Sequence, residues 1–498
     1  MLSVLLPEQL FDADTSRAVD RQAIGELGIP GIELMRRAGR CAFDVLSQRW
    51  PSPRRVHIVS GTGNNGGDGF IVARLAQQSG YAVTVTVSGA FERIRGDAAI
   101  AFAEMRTCGI EPLSEAPHFD GGDIVVDALF GTGLARAVDG RDAALIEKIN
   151  SAGSAVLAVD VPSGLDASTG LIHGCAVRAD VTTCFMTLKQ GLFTGAGPNC
   201  AGAVLYDNLD VPADLSAAAG ATALRRDYLS MTEWFPRRSR AAHKGHFGHV
   251  LVAGGMPGFG GAARLAAEAA ARVGAGLVSL ATHPAHASAL TSDRPELMCH
   301  GVARSKDLRQ LIKRASVIAL GPGLGQDNWG QQLYASVRDT RCMQVLDADA
   351  LNLLAREPDR DEKWVLTPHP GEAARLLGTD AAKVERDRFA AARALQERYG
   401  GVVVLKGSGT IIQACDQLPV VIHAGNPGMA SGGMGDVLTG VIAGLLGQGF
   451  PPFEAAVAGA VVHGHAADQA AAEAGERGLL AGDLMAHLRR AVNPQRQV

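Results

Sequence analysis

Aromatic side chains make up only 5% of this chain, basic residues are not in excess, and no two cysteines stand in a C-x-x-C pair. The shortage of aromatics removes the stacking platform on which single-stranded nucleic acids lie. A formal net charge of −4 lacks the electrostatic footprint of a nucleic-acid binder, so no such partner is expected. The eight cysteines (Cys41, Cys108, Cys175, Cys184, Cys200, Cys299, Cys342 and Cys415) are scattered, which favours reduced packing thiols in a cytoplasmic protein. The start, Met1 to Pro7, has no basic region and only a short apolar run, so no export signal is expected. Apolar stretches such as Val437 to Leu446 fall short of the roughly 20 residues that span a bilayer, which excludes a membrane partner.

What the chain has in quantity is glycine, 61 residues of 498, on a background that is 47% hydrophobic and 20% charged. This is globular material beyond the usual size of one domain, so two domains are expected. In the first half, Arg55–Ser60, Ala82–Ser88, Asp123–Ala128 and Ala155–Val161 read as buried parallel strands, each ending in a glycine-bearing loop. Such sheets bind ligands outside the carboxyl ends of their strands, so Gly61–Asp68, Phe130–Ala137 and Pro162–Asp166 should converge on one crevice. The small-residue stretch Pro212–Ala223 reads as a linker. A second alternation follows, with strands at His249–Ala253, Val317–Leu320, Gln344–Asp347, Trp364–Thr367 and Val402–Lys406. Between them, Gly261–Val273 and Met434–Leu446 have the small-residue composition of helices pressed close on a sheet.

Gly61-Thr-Gly63-Asn-Asn-Gly66 matches the dinucleotide fingerprint after a strand and before a helix. The acidic ribose ligand of that fingerprint is missing, because the next strand closes on Ser88-Gly89-Ala90, and Asp68 crowds the helix start instead. With Asp127-Ala-Leu-Phe-Gly131-Thr-Gly133-Leu134 and Asp160-Val-Pro162-Ser163-Gly164-Leu165-Asp166, the loop resembles the NAD(P)H-hydrate epimerase family over about residues 1–220. The resemblance implies a potassium ion held by Asn65, Asp127 and Ser163, oxygen ligands that suit a hard monovalent ion. It also implies dinucleotide binding by Asn64, Asn65, Gly66, Gly67 and Asp68, by Gly131, Thr132, Gly133, Leu134, Ala135, Arg136 and Ala137, and by Asp160. Asp160 by itself is a strand-end carboxylate that serves equally well to cap a turn. Epimerisation at a hydroxyl-bearing carbon beside a ring nitrogen needs an acid/base group, and Asp160 is the candidate.

In the second half, His243-Lys244-Gly245, Gly321-Pro-Gly323-Leu-Gly325, Asp347-Ala-Asp349-Ala-Leu-Asn352, Thr367-Pro-His369-Pro-Gly371-Glu372, Lys406-Gly407-Ser408-Gly409-Thr410 and Gly432-Gly-Met-Gly435-Asp436 follow in order. They resemble the NAD(P)H-hydrate dehydratase family, over about residues 225–495, which shares the ribokinase-like fold of small-molecule kinases. The Gly-x-Gly-Asp turn presents N–H groups and a helix start to a transferring phosphoryl group, while Asp436 accepts the substrate hydroxyl's proton. The resemblance implies nucleotide contacts at Lys406, Gly407, Ser408, Gly409, Thr410 and Gly435, and contacts with the hydrated dinucleotide at Ala262, Gly323, His369 and Asp436. His369, between two prolines, is otherwise a plain loop residue. Asp347 and Asp349 support either magnesium or the substrate loop.

His243, His246 and His249 invite a metal reading that Gly245 and Gly248 break, and no ligand set is completed around them. His463 and His465 fall on a helical pattern where positions two apart diverge, so they share no ligand. The expected fold class is α/β: an N-terminal Rossmann-like three-layer domain and a C-terminal ribokinase-like domain. The expected function is repair of hydrated NADH and NADPH, with epimerisation of R and S forms followed by dehydration of the S form. By the resemblance, ADP is the phosphoryl donor, with ATP also open, and the cofactors are K+ and Mg2+. A homo-oligomer is expected. The alternatives are a small-alcohol kinase fused to a dinucleotide-binding regulatory domain, and an N-terminal half that only binds ligand. A stable phosphorylated alcohol would mark the kinase.

Overall fold

The computed structural model describes residues 6–52, 55–292 and 294–494. The chain divides into two compact units, Met1–Arg225 and Arg226–Val498.

In the first unit the strands run in the order Ala82–Val87, Arg55–Ser60, Ile124–Ala128, Ala155–Val159, Val181–Phe185 and Ala203–Asp207, every neighbouring pair parallel. Their residues alternate between two apolar cores, as the period of two of a strand requires. Ile58, Val126 and Leu157 join one core with the helices Gly31–Arg49, Asn64–Gln78 and Gly96–Thr107. Val59, Val125 and Val156 join the other with the helix Gly140–Ser151. The result is the expected three-layer sandwich. The first strand in the sheet, Arg55–Ser60, has its successors on either side, so the strand order reverses between it and Ile124–Ala128. A crevice opens beyond the carboxyl ends at such a reversal, where Gly61 and Leu129 begin their loops.

Two expectations need correction here. The strand expected over Ala155–Val161 stops at Val159, because Asp160 takes φ +65° and turns the chain away from the sheet. The stretch expected to be a linker is folded: Ala213–Ala219 is a helix that buries Leu215, and Ala223–Arg225 is a strand. That strand pairs antiparallel with Gln9–Phe11, which in turn pairs parallel with Leu188–Lys189. Alanine-rich composition was mistaken for slack chain, when alanine is also the best helix former.

The second unit holds a sheet ordered Met298–Gly301, Leu277–Thr282, His249–Ala253, Val317–Leu320, Met343–Leu346, Trp364–Leu366, Val402–Leu405, Thr410–Ala414 and Val420–Ile422. The first seven are parallel, and Thr410–Ala414 pairs antiparallel with both of its neighbours, Val402–Leu405 and Val420–Ile422. The helices Gly260–Arg272 and Met434–Gly447 lie very close, since a side chain on Gly440 would meet the Ala266 carbonyl at 2.0 Å. No described helix is long and apolar enough to cross a membrane.

Because the helix Ala213–Ala219 and strand Ala223–Arg225 belong to the first unit, a fragment ending at Arg225 should melt above one ending at Val211. Loss of the Leu215 burial and the strand ladder should cost roughly 2–4 kcal/mol, or about 5–15 °C. Equal melting temperatures by circular dichroism would refute this assignment.

Candidate active sites

The crevice of the first unit is a cleft of about 1050 Å3. The helix Asn64–Gln78 aims its N-terminus at it, with Gly63 as an N-cap that offers no side-chain acceptor, so the first N–H groups are left for an anion. Gly66 is there because any side chain would meet the Gly61 carbonyl oxygen at 2.1 Å, holding the helix off the strand end. Of the expected dinucleotide residues, Asn64, Asn65, Asp68, Gly131 to Arg136 and Asp160 line the cleft. Gly66, Gly67 and Ala137 do not; Gly67 instead packs on Met35. Arg17 donates to the Thr132 carbonyl at 2.6 Å and ties down the second loop.

The three expected cation ligands sit in one corner. Asp127 is fully buried and accepts from Ser163 twice, from the backbone N–H at 2.7 Å and from Oγ at 2.6 Å. Burial pushes its carboxyl up to about 6, with the Ser163 hydrogen bonds opposing the rise. Asn65 packs against Gly131, and both polar atoms of its side-chain amide are buried without a hydrogen-bond partner. A buried amide left unsatisfied is costly, so this geometry asks for a further ligand.

Asp160 faces a buried ammonium: Lys189 Nζ stands 2.5 Å from its Oδ1 and 2.9 Å from the Phe185 carbonyl oxygen. Despite desolvation, Asp160 holds Lys189 above the usual lysine range. Asp68 lies in the same cluster, and desolvation, then the Asp160 and Asp20 charges, hold it well above the usual carboxylate range. Asp20 faces the cleft and is pushed up to about 6 by desolvation, against the pull of Lys189. Lys189 and Asp20 were missed in the sequence. Lys189 follows the strand Val181–Phe185, which was also missed, and Asp20 lies on the distant helix Ala13–Gly25, where nothing marks it.

In the second unit, Asp436 occupies the first turn of the helix Met434–Gly447, whose N-cap Gly433 takes φ +92°, a conformation that favours glycine. Desolvation, together with the Asp347 charge, pushes the Asp436 carboxyl up to about 7. Lys406 was expected to cradle phosphate. Its amine instead pairs with Asp347 at 2.7 Å and Glu372 at 3.8 Å, directly beneath Gly435. Asp347 also accepts from Thr439 Oγ1 at 2.8 Å, and despite desolvation Lys406 holds it below its ordinary range. Desolvation pushes the Glu372 carboxyl up. The loop that follows Lys406 is buttressed by the buried Arg388, which donates to the Leu405 and Lys406 carbonyls at 3.2 and 3.1 Å. No motif pointed to Arg388.

His369 keeps its loop role, since its Nδ1 accepts from Gly371 N–H at 3.0 Å and caps the helix Pro370–Leu377. Desolvation, aided by Lys406, lowers its pKa. Gly323 adjoins Ala262, 3.3 Å from where a Gly323 side chain would begin. Asp349 does not face this cluster; it accepts from Gly325 N–H at 2.9 Å and so supports the loop. His243 and His246 stack on each other, and His465 stacks on Tyr228. His463 is buried, and desolvation, aided by Lys406, lowers its pKa to about 4.

A switch-point cleft with an Asp–Lys centre in one unit and a Gly-x-Gly-Asp turn over another Asp–Lys centre in the other define a two-site enzyme, its second half built as a ribokinase-like domain. A family profile described as YjeF-related protein N-terminus matches residues 31–191, and one described as NAD(P)H-hydrate dehydratase matches residues 250–490. The chain is 48% identical to the bifunctional NAD(P)H-hydrate repair enzyme of Coxiella burnetii, over 97% of this chain and 99% of that one. It is 43% identical to the corresponding enzyme of Escherichia coli, over 99% of this chain and 95% of the other. Among solved structures it is similar to a ribokinase-like superfamily protein of Enterococcus faecalis, at 30% identity and a TM-score of 0.50, covering 54% of this chain and 95% of that one. The chain belongs to the bifunctional NAD(P)H-hydrate repair enzyme family and carries its epimerase and dehydratase domains.

Removing the Lys189 charge should leave its carboxylates uncompensated. Lys189→Met is expected to cost on the order of 3–5 kcal/mol at neutral pH. The lost cation raises the folded pKa values of Asp20 and Asp68 further, so the variant takes up protons at a higher pH than the wild type does, and the deficit should shrink as pH falls from 8 towards 5. Urea unfolding at pH 8 and pH 5 measures this, and a pH-independent deficit would refute the electrostatic account.

Proposed function

We propose that the N-terminal unit interconverts the R and S hydrates of NADH and NADPH at Asp160, and that the C-terminal unit dehydrates the S hydrate at Asp436 with ADP, releasing AMP and phosphate. The observation that carries this reading is the pair of aspartate–lysine centres, Asp160 with Lys189 and Asp347 with Lys406, each beside a glycine-rich helix start.

In the first unit, loss of the hydroxyl beside the ring nitrogen needs a proton for the leaving oxygen, and its return on the other face needs a base for the incoming water. Asp68, raised well above its ordinary range, is suited to hold that proton, while Asp160 stands against Lys189 as the carboxylate. Asn65, with its unsatisfied buried amide, Asp127 and Ser163 would hold potassium. When bound, the ion supplies a fixed positive charge beside the cleft. Asn64, the Gly131–Arg136 loop and the helix start would take the dinucleotide's phosphates and ribose.

In the second unit, Asp436 takes the proton of the hydrate's hydroxyl as its oxygen bonds to the β-phosphorus of ADP and the bond to AMP breaks. The ester's C–O bond then breaks, inorganic phosphate leaving with its electrons as the ring nitrogen's lone pair assists, and a neighbouring C–H proton passes to the departing phosphate or water to restore the ring double bond. On this reading Gly435 and the Gly407–Thr410 turn would meet the nucleotide's phosphates, and Gly323, Ala262 and His369 would meet the hydrated dinucleotide. Asp347 is engaged by Lys406 and Thr439, and Asp349 by Gly325 N–H and the Gln326 amide, so neither is assigned to magnesium and no step rests on one. Magnesium accompanies the nucleotide's own phosphates. Relatives carrying both domains over nearly the whole chain speak against the small-alcohol kinase.

Asp160→Asn keeps shape and removes the acid/base, so R-to-S conversion should slow by roughly 10²–10⁴-fold while dehydration of pure S hydrate persists. Unchanged interconversion, followed by chromatography of the two hydrates, would reduce Asp160 to a loop anchor.

Asp436 acts as the carboxylate, and with its pKa near 7 it is protonated below that pH. Dehydration with ADP should therefore decline as pH falls through about 7, and Asp436→Asn should abolish it at every pH while epimerisation continues. Reduced-nicotinamide absorbance measures the dehydration and chromatography of the hydrates the epimerisation; full dehydration in the variant, or a flat wild-type profile between pH 5 and 8, would overturn the role.

A further inference from the structure

A second open cavity, of about 540 Å3, is lined by Gln326, Asn352, Ala355, Arg356 and Arg375. Asp349 organises its wall. One of its oxygens accepts from Gly325 N–H at 2.9 Å, and the other accepts from the side-chain amides of Gln326 at 2.9 Å and Asn352 at 3.3 Å. Both amides therefore turn their NH2 groups to Asp349 and present their oxygens to the two arginines. The Gln326 oxygen accepts from Arg356, and the Asn352 oxygen accepts from Arg375 Nε at 2.7 Å.

A carboxylate in place of either amide would neutralise its arginine. An amide orients the guanidinium and leaves the charge intact, with most of its five N–H groups free. Among the described residues neither guanidinium forms an ion pair; amide oxygens are the acceptors that hold them. Two oriented guanidiniums at one cavity, neither in an ion pair among the described residues, suit phosphate oxygens, which they bind with paired N–H groups. The cavity lies beside the dehydration site, since Arg375 sits on the helix that His369 caps and its charge acts on both His369 and Glu372.

We propose that Arg356 and Arg375 form a phosphate subsite for the hydrated dinucleotide, holding phosphate oxygens remote from the hydrated ring. The inference rests on the dehydratase reading above. The substrate offers two sources of such oxygens, the pyrophosphate shared by both hydrates and the 2′-phosphate carried by NADPH hydrate alone.

The full-length Arg356→Gln/Arg375→Gln variant, assayed with ADP and the pure S hydrates, separates these sources. The KM for NADPH hydrate should rise at least about tenfold, with the KM for ADP unchanged. An equal rise for NADH hydrate assigns the subsite to the pyrophosphate, and a rise confined to NADPH hydrate assigns it to the 2′-phosphate. Arg375→Lys, which keeps the charge and loses the fork, should fall between wild type and the double variant, and it decides the matter if the double variant melts early. Unchanged KM for both hydrates, or a rise in the KM for ADP instead, overturns the subsite. If the wild-type chain itself fails to dehydrate S hydrate, it is the dehydratase reading that falls.

Discussion

Each half of this chain is organised around a lysine held among more carboxylates than it can neutralise. Lys189 faces Asp160, with Asp68 and Asp20 close by, and Lys406 faces Asp347 and Glu372, with Asp436 close by. In a poorly solvated cleft one ammonium stabilises one carboxylate, and the remaining negative charge is relieved by protons. The outcome is a division of labour among like residues: Asp347 is held below its ordinary range, while Asp436 rises to about 7 and Asp68 well above its usual value. Proton donors and acceptors near neutral pH thus arise from side chains that titrate several units lower in water.

The scaffold serves this arrangement by bringing strand ends and helix starts unusually close. Gly66, against the Gly61 carbonyl at the strand end, occupies space that one methyl group would fill, and Gly440 against the Ala266 carbonyl does the same between two helices. The helix N-terminus then sits near enough to the strand-end carboxylates for its N–H groups and those acids to act on the same ligand. Arg388 extends the principle, bracing from behind the loop that leads out of Lys406.

Much of this was legible in the sequence, because it lies in loops directly after buried strands. Arg55–Ser60, His249–Ala253 and Val317–Leu320 were read to the residue, and their glycine loops carry Asn64, Asn65, Asp68 and Gly323. What escaped was supplied from a distance. Lys189, Asp20 and Arg388 reach their partners through tertiary folding, and no local spacing distinguishes them from other charged residues. Val181–Phe185 was missed because two threonines interrupt its apolar run, although both are buried. The pairing of Lys406 with Asp347 and Glu372 was not legible for a related reason: a motif fixes where the backbone runs, whereas the amine follows the nearest buried acids.

The ribbon that joins Gln9–Phe11 to Ala223–Arg225 brings the beginning and the end of the N-terminal unit together as hydrogen-bonded neighbours. The unit is therefore a nearly closed ring of chain, entered and left through one doorway. A module with its ends side by side can be inserted whole into a surface turn of another protein, or cut at a distant loop and rejoined across the doorway, without stretching its sheet.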